Sequence, residues 1–158
     1  MEIKASKTLL KITPGMESVH WSQVLGHKNL LILVKMKNTK LLGGFSVEEY
    51  TNEPNRSSQQ GNGCLFSISD TVRYNLKKEA KNILNYGTFA LSIGNNDVKI
   101  FQDGEVSSIF GKLHGSFDSK GKKAVDLIGT PDGGEKYYCD LAEFHQIIFE
   151  WFIKHLIK

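Results

Sequence analysis

Leu30-Leu31-Ile32-Leu33-Val34-Lys35-Met36-Lys37-Asn38-Thr39-Lys40-Leu41-Leu42-Gly43-Gly44-Phe45-Ser46 carries the strongest structural signal in the chain. Leu30–Val34 is an apolar, strand-compatible run, Lys37–Lys40 is polar, and a second apolar group ends in Gly43-Gly44-Phe45. Two such runs around a short polar break read as a β-hairpin. Adjacent glycines only weaken a strand interior. Gly43 and Gly44 are therefore expected where the strand leaves the sheet, with at least one at positive φ or in close backbone contact. Leu30–Val34 is also the longest apolar stretch, far short of the roughly 20 residues that a helical bilayer crossing needs.

On the N-terminal side of the hairpin, Met16, Val19, Trp21, Val24 and Leu25 fall at helical intervals before Gly26, which predicts a short amphipathic helix. On the other side, Thr51–Gly63 is nearly devoid of apolar residues and full of turn formers, as a surface loop would be, and Cys64–Ile68 restores a strand. Glu79–Leu84 offers a second brief helix. Thr88–Ile93 and Val98–Phe101 flank Gly94-Asn95-Asn96-Asp97 as a second hairpin, Ser116–Lys123 reads as a loop, and Pro131-Asp132-Gly133-Gly134 as a turn. The tail is ambiguous. Phe144, Ile147, Ile148, Trp151, Phe152 and Leu156 fit a helix, whereas His145, Ile147, Phe149, Trp151 and Ile153 fit one face of a strand, and periodicity favours the helix slightly.

A chain of 158 residues has room for one domain, and its 40% hydrophobic content supplies a core without disulfides or a structural metal. Lys and Arg number 20 against 17 Asp and Glu, a surplus of +3 that implies no polyanionic partner. Only Arg56 and Arg73 supply a guanidinium fork, which weakens a nucleic-acid reading further. Met1–Pro14 mixes charged and apolar residues without the continuous apolar core of a secretory signal. The expectation is a cytoplasmic protein with no direct membrane insertion, in which Cys64 and Cys139 are reduced thiols.

No catalytic pattern stands out. His20, His27, His114, His145, His155 and the two cysteines show no metal-ligand spacing, so no metal or cofactor is expected. Cys64 precedes Leu65 and Phe66, and Cys139 has no cation adjacent in sequence, so both are assigned to packing rather than to thiolate chemistry. Gly61-Asn62-Gly63 enters a strand instead of a helix and is no phosphate cradle. Binding groups often sit on loops beside a rigid scaffold, which singles out Glu53 and Arg56 in one loop and Lys120, Lys122 and Lys123 in the other as candidate partner contacts.

Taken together, several segments occur in a familiar order: Thr8-Leu9-Leu10, the stretch with His20 and Trp21, Leu30–Lys35, and Leu42-Gly43-Gly44-Phe45-Ser46. Cys64-Leu65-Phe66-Ser67-Ile68, Tyr86-Gly87-Thr88-Phe89, Asn96–Ile100, Ser107–Gly111 and Leu127-Ile128-Gly129-Thr130 then follow. From about Thr8 to Ile153 this order resembles the TLDc domain of the oxidation-resistance family. Leu42 stands where that family has the first aromatic of Phe-Gly-Gly-Tyr, Phe45 replaces its tyrosine, and Ala90-Leu91-Ser92 replaces small glycines. The resemblance implies an α+β, mainly β fold: two packed antiparallel sheets in a β-sandwich with a few short helices, a terminal strand in the tail, and one domain over residues 1–158. It also implies a non-enzymatic interaction module linked to the oxidative-stress response that binds a large complex, with the vacuolar-type proton ATPase as candidate. A permanent structural subunit of a filament or membrane-associated assembly is the first alternative, and a thiol-dependent antioxidant enzyme using Cys64 or Cys139 is the second.

Overall fold

The computed structural model describes residues 3–16, 19–47, 49, 63–77, 85–86, 90–93, 98–101, 106–107, 117–118, 120–122 and 139–149. Among these residues ten strands follow in order: β1 (Ile3–Ile12), β2 (Leu30–Met36), β3 (Leu41–Ser46), β4 (Gly63–Ser67), β5 (Val72–Asn75), β6 (Asn85–Tyr86), β7 (Ala90–Ile93), β8 (Val98–Phe101), β9 (Val106–Ser107) and β10 (Cys139–Phe149). The protein is mainly β. Six strands form one antiparallel sheet in the order β1-β10-β2-β3-β4-β5, and β6-β7-β8-β9 form a four-stranded antiparallel sheet.

The expected hairpin is β2–β3, with Lys35 opposite Leu41. Its three-residue turn is closed by Thr39 N–H donating to Met36 C=O at 2.9 Å and Met36 N–H donating to Lys40 C=O at 2.8 Å. Asn38 Oδ1 accepts from Lys40 N–H at 3.1 Å, and Thr39 takes the left-handed conformation that this loop length requires, at φ 71°.

Alternation of side chains then sorts the sheet into two faces. Leu10, Phe144, Ile32, Gly44, Leu65 and Tyr74 line up strand by strand across one face, next to the row Ile12, Ala142, Val34, Leu42, Ser67 and Val72. These rows are the core, and Val19, Val24 and Phe117 pack into it from outside the sheet. The opposite face carries the row Lys11, Glu143, Leu33, Gly43, Phe66 and Arg73. Its apolar members Leu33 and Phe66 are half-buried.

Gly43 and Gly44 do not sit where a strand leaves the sheet. Both lie inside β3, paired with β2 on one side and β4 on the other. The close approach expected of them is present at Gly43, where a Cβ would fall 2.5 Å from Ile32 O and 2.5 Å from Phe66 Cζ. The glycine makes room for the Phe66 ring to lie across the strand.

Two expectations of helix need correction. Among the described residues of the Met16–Leu25 segment, the only helical element is a 3-10 turn, Trp21–Gln23. Its successive bonds, Gln23 N–H to His20 C=O and Leu25 N–H to Ser22 C=O, each span three residues. Valine, histidine and serine are mediocre helix formers, the segment is shorter than stable isolated helices, and Gly26 at φ 77° ends it. The tail, as far as Phe149, is the strand implied by the family resemblance rather than the helix favoured by periodicity. β10 lies between β1 and β2, so ladders on both sides satisfy its backbone, and the β-branched pair Ile147-Ile148 suits a strand. The helix expected at Glu79–Leu84, most of the Thr51–Gly63 loop and the Pro131–Gly134 turn lie outside the described residues.

Candidate functional site

Because β3 pairs with β4, the β2–β3 and β4–β5 turns emerge at the same end of the large sheet, and side chains fasten one to the other. Leu41 C=O accepts from Ile68 N–H at 2.9 Å and Ser69 N–H at 3.3 Å, while Leu41 N–H donates to Ser69 Oγ at 2.8 Å. Lys40 Nζ lies 2.6 Å from Asp70 Oδ2. The buried Ser67 hydroxyl donates to the same oxygen at 2.7 Å and accepts from Asp70 N–H at 3.1 Å. These hydrogen bonds from Lys40 and Ser67, helped by the positive charges of Lys40 and Lys122, hold the Asp70 carboxyl below its ordinary pKa.

The third contributor is the segment after Phe117. Phe117 is fully buried and bridges to Leu76, and Asp118 N–H donates to Asn75 C=O at 2.8 Å, so the chain is laid along the edge strand β5. Lys120 N–H donates to Asp118 Oδ1 at 3.0 Å in a tight turn, with Lys120 at φ 51° and Gly121 at φ 77°. Lys120 and Lys122 are exposed as expected, and Lys122 is brought within electrostatic reach of Asp70. Glu53, Arg56 and Lys123 lie outside the described residues.

Two large apolar side chains stand in the middle of this arrangement. Ile68 is 51% exposed and Leu41 39% exposed, although Ile68 N–H is hydrogen-bonded to Leu41 C=O. Neither was singled out from the sequence. The signal available was a lone isoleucine within the turn-forming run Ser67-Ile68-Ser69-Asp70-Thr71, where folding alone calls for no apolar residue.

A second polar group spans β1 and β10. His145 Nε2 is 3.0 Å from Glu143 Oε2 and its Nδ1 is 3.2 Å from Thr8 Oγ1, while Lys11 Nζ approaches Glu143 Oε1 at 3.6 Å. The ring thus bridges the Glu143 carboxylate on its own strand and the Thr8 hydroxyl on β1. Thr8 lies directly opposite His145 in the ladder, so the group ties the edge strand to its neighbour.

Cys64 and Cys139 are both buried and neither is in a disulfide, and burial pushes the Cys64 thiol up despite the nearby Arg73. That shift disfavours the thiolate required for peroxide or disulfide chemistry. Among the described residues, no group of three or more His, Cys, Asp or Glu could hold a metal, and no helix is long and apolar enough to cross a membrane.

Comparison with known protein families gives a match to the model of the TLDc domain over residues 17–125. The chain belongs to the TLDc domain family. A comparison with curated proteins gives no match. The matched span of this TLDc domain runs from β2 to β9 and takes in both turns and Lys122, whereas β1 and β10 lie beyond it. The family consists of protein-interaction modules related to oxidative stress and is generally non-enzymatic.

Proposed function

We propose that this TLDc domain is a non-enzymatic interaction module that docks on a large protein complex in the cytoplasm, with the vacuolar-type proton ATPase as the family-implied partner and the oxidative-stress response as its setting. In this reading, residues 1–158 form a single domain whose two sheets pack as a β-sandwich. Membership of the TLDc family carries the proposal. It is supported by the burial of Cys64, which raises its thiol pKa and so disfavours the thiolate that an enzyme using this cysteine would need.

The test is affinity purification of the tagged chain from native membranes. Recovery of proton-ATPase subunits that are released by rising salt is the expected result for a regulator. Stoichiometric retention through salt washes would instead make the protein a permanent subunit. Absence of ATPase subunits from the purified material refutes that choice of partner.

A further inference from the structure

We propose that the end of the six-stranded sheet bearing Ile68 and Leu41 is the docking surface of this domain, and that its occupant is an acidic face of a partner protein with an apolar side chain at its centre. The inference rests on the interaction-module reading and gives that module a place and a partner chemistry.

Shape and order come first. Protein interfaces centre on apolar contacts that exclude water, within a polar rim. Ile68 and Leu41 form such a centre: both are exposed, and backbone hydrogen bonds together with the Lys40–Asp70 and Ser67–Asp70 contacts hold their two turns in fixed relation. A surface already ordered before contact loses little conformational freedom on binding. Bare isoleucine and leucine also lose hydration cost when a partner covers them.

Charge then selects the partner. The described residues of the two turns and the edge segment contain Lys37, Lys40, Lys120 and Lys122 against Asp70 and Asp118. Asp70 is engaged by Lys40 and Ser67, and Asp118 is turned onto the backbone of Lys120. The Lys40–Asp70 pair cancels, and the remaining lysines Lys37, Lys120 and Lys122 outnumber Asp118, so the described part of the rim is net positive around an apolar centre, a combination complementary to carboxylates flanking a leucine or phenylalanine. An anionic lipid surface offers the charge but no fixed apolar side chain, and nucleic acid offers phosphates that favour arginine, whereas the described residues of the two turns and the edge segment carry only lysine as a cation.

The test titrates the full chain with a synthetic peptide, Glu-Glu-Leu-Glu-Glu-Phe-Glu-Glu, followed by the amide shifts of Leu41, Ile68 and Lys122. Shifts centred on these residues are expected, with affinity falling several-fold between about 50 mM and about 300 mM salt. Ile68→Ser is expected to weaken the peptide roughly tenfold, and Lys37→Glu with Lys122→Glu by a similar factor together with a loss of salt dependence. Lys40 and Asp70 are left intact because they hold the turns, and circular dichroism confirms that each variant is folded. Shifts elsewhere, undiminished binding by both variants, or tighter binding to phosphatidylserine vesicles than to the peptide would overturn the proposal. The same variants in the ATPase purification separate the two readings. Unchanged recovery of the ATPase sinks this surface and spares the partner, whereas loss of peptide binding without any ATPase in the wild-type sample sinks the partner and spares the surface.

Discussion

Gly43→Ala is the most demanding change that the large sheet can be asked to absorb. The new methyl would sit 2.5 Å from Ile32 O, 2.5 Å from Phe66 Cζ and 2.6 Å from Phe66 Cε2, all well inside van der Waals contact. The ring can swing, but only by giving up its place over β3. Ile32 O cannot, because it belongs to the β2 backbone that pairs with β3 on one side and β10 on the other. Overpacking of this kind costs about 1–3 kcal/mol, with values at the upper end where backbone must move. Loss of chain freedom in the unfolded state returns roughly 0.4–1 kcal/mol. The net is a destabilisation of about 2 kcal/mol, or a fall in melting temperature of roughly 4–8 °C for a chain of this length. Thermal and urea unfolding of the single variant, of Phe66→Ala and of the double variant measure it. The double variant should recover part of the loss, since it removes the ring and leaves only the carbonyl conflict. A Gly43→Ala protein melting within a degree of wild type would refute the steric argument, and a double variant with purely additive losses would refute the role given to Phe66.

Thr39 is a β-branched residue held at φ 71°, so Thr39→Gly should stabilise the protein by about 0.5–1 kcal/mol, and a lower melting temperature would count against strain in that turn. Asp70 has its folded pKa below its unfolded one, so the stabilisation it gives is present above the ordinary carboxylate pKa and is lost as pH falls through the depressed folded value. An NMR titration should place the Asp70 midpoint below about 3.9, with the Ser69 and Leu41 amides shifting in step, and a midpoint at or above that value contradicts the Lys40 contact. Burial pushes the Cys64 thiol up, so alkylation of Cys64 at neutral pH should run at least about tenfold slower in the native protein than in urea; equal rates would reopen the thiol reading.

The β2–β3 hairpin was legible because both its strands carry apolar runs and its turn is uniformly polar, a pattern local enough to read residue by residue. β1 and β5 were not read as strands. In β1 the residues Lys7, Thr8 and Lys11 interrupt the apolar ones, since an edge strand faces partner backbone on only one side and tolerates charge. β5 is four residues long and shows one buried side chain, Tyr74. β10 misled periodicity because a central strand bears apolar groups on both faces: Phe144 belongs to the core, while Leu141 is half-buried on the other face, and the mixed record imitates a helix. Of the candidate contacts, Lys120 and Lys122 were visible as charge. Ile68 and Leu41 were not, because a turn's apolar residue acquires meaning only when a second turn is placed beside it.

The place of β10 between β1 and β2 has a consequence for how the molecule is made. Thr8 and His145 touch across 137 positions of sequence, and among the described residues β1 pairs with no other strand. A ribosome adding about 5–20 residues per second leaves β1 waiting roughly 7–27 seconds for its partner. During that time β2 also lacks its neighbour on that side, so two open strand edges, one of them bordering Leu30, Ile32 and Val34, are exposed at once. β10, synthesised after both strands it joins, thus acts as the keystone, and nascent chains halted short of it are the form of this protein with most to gain from a chaperone.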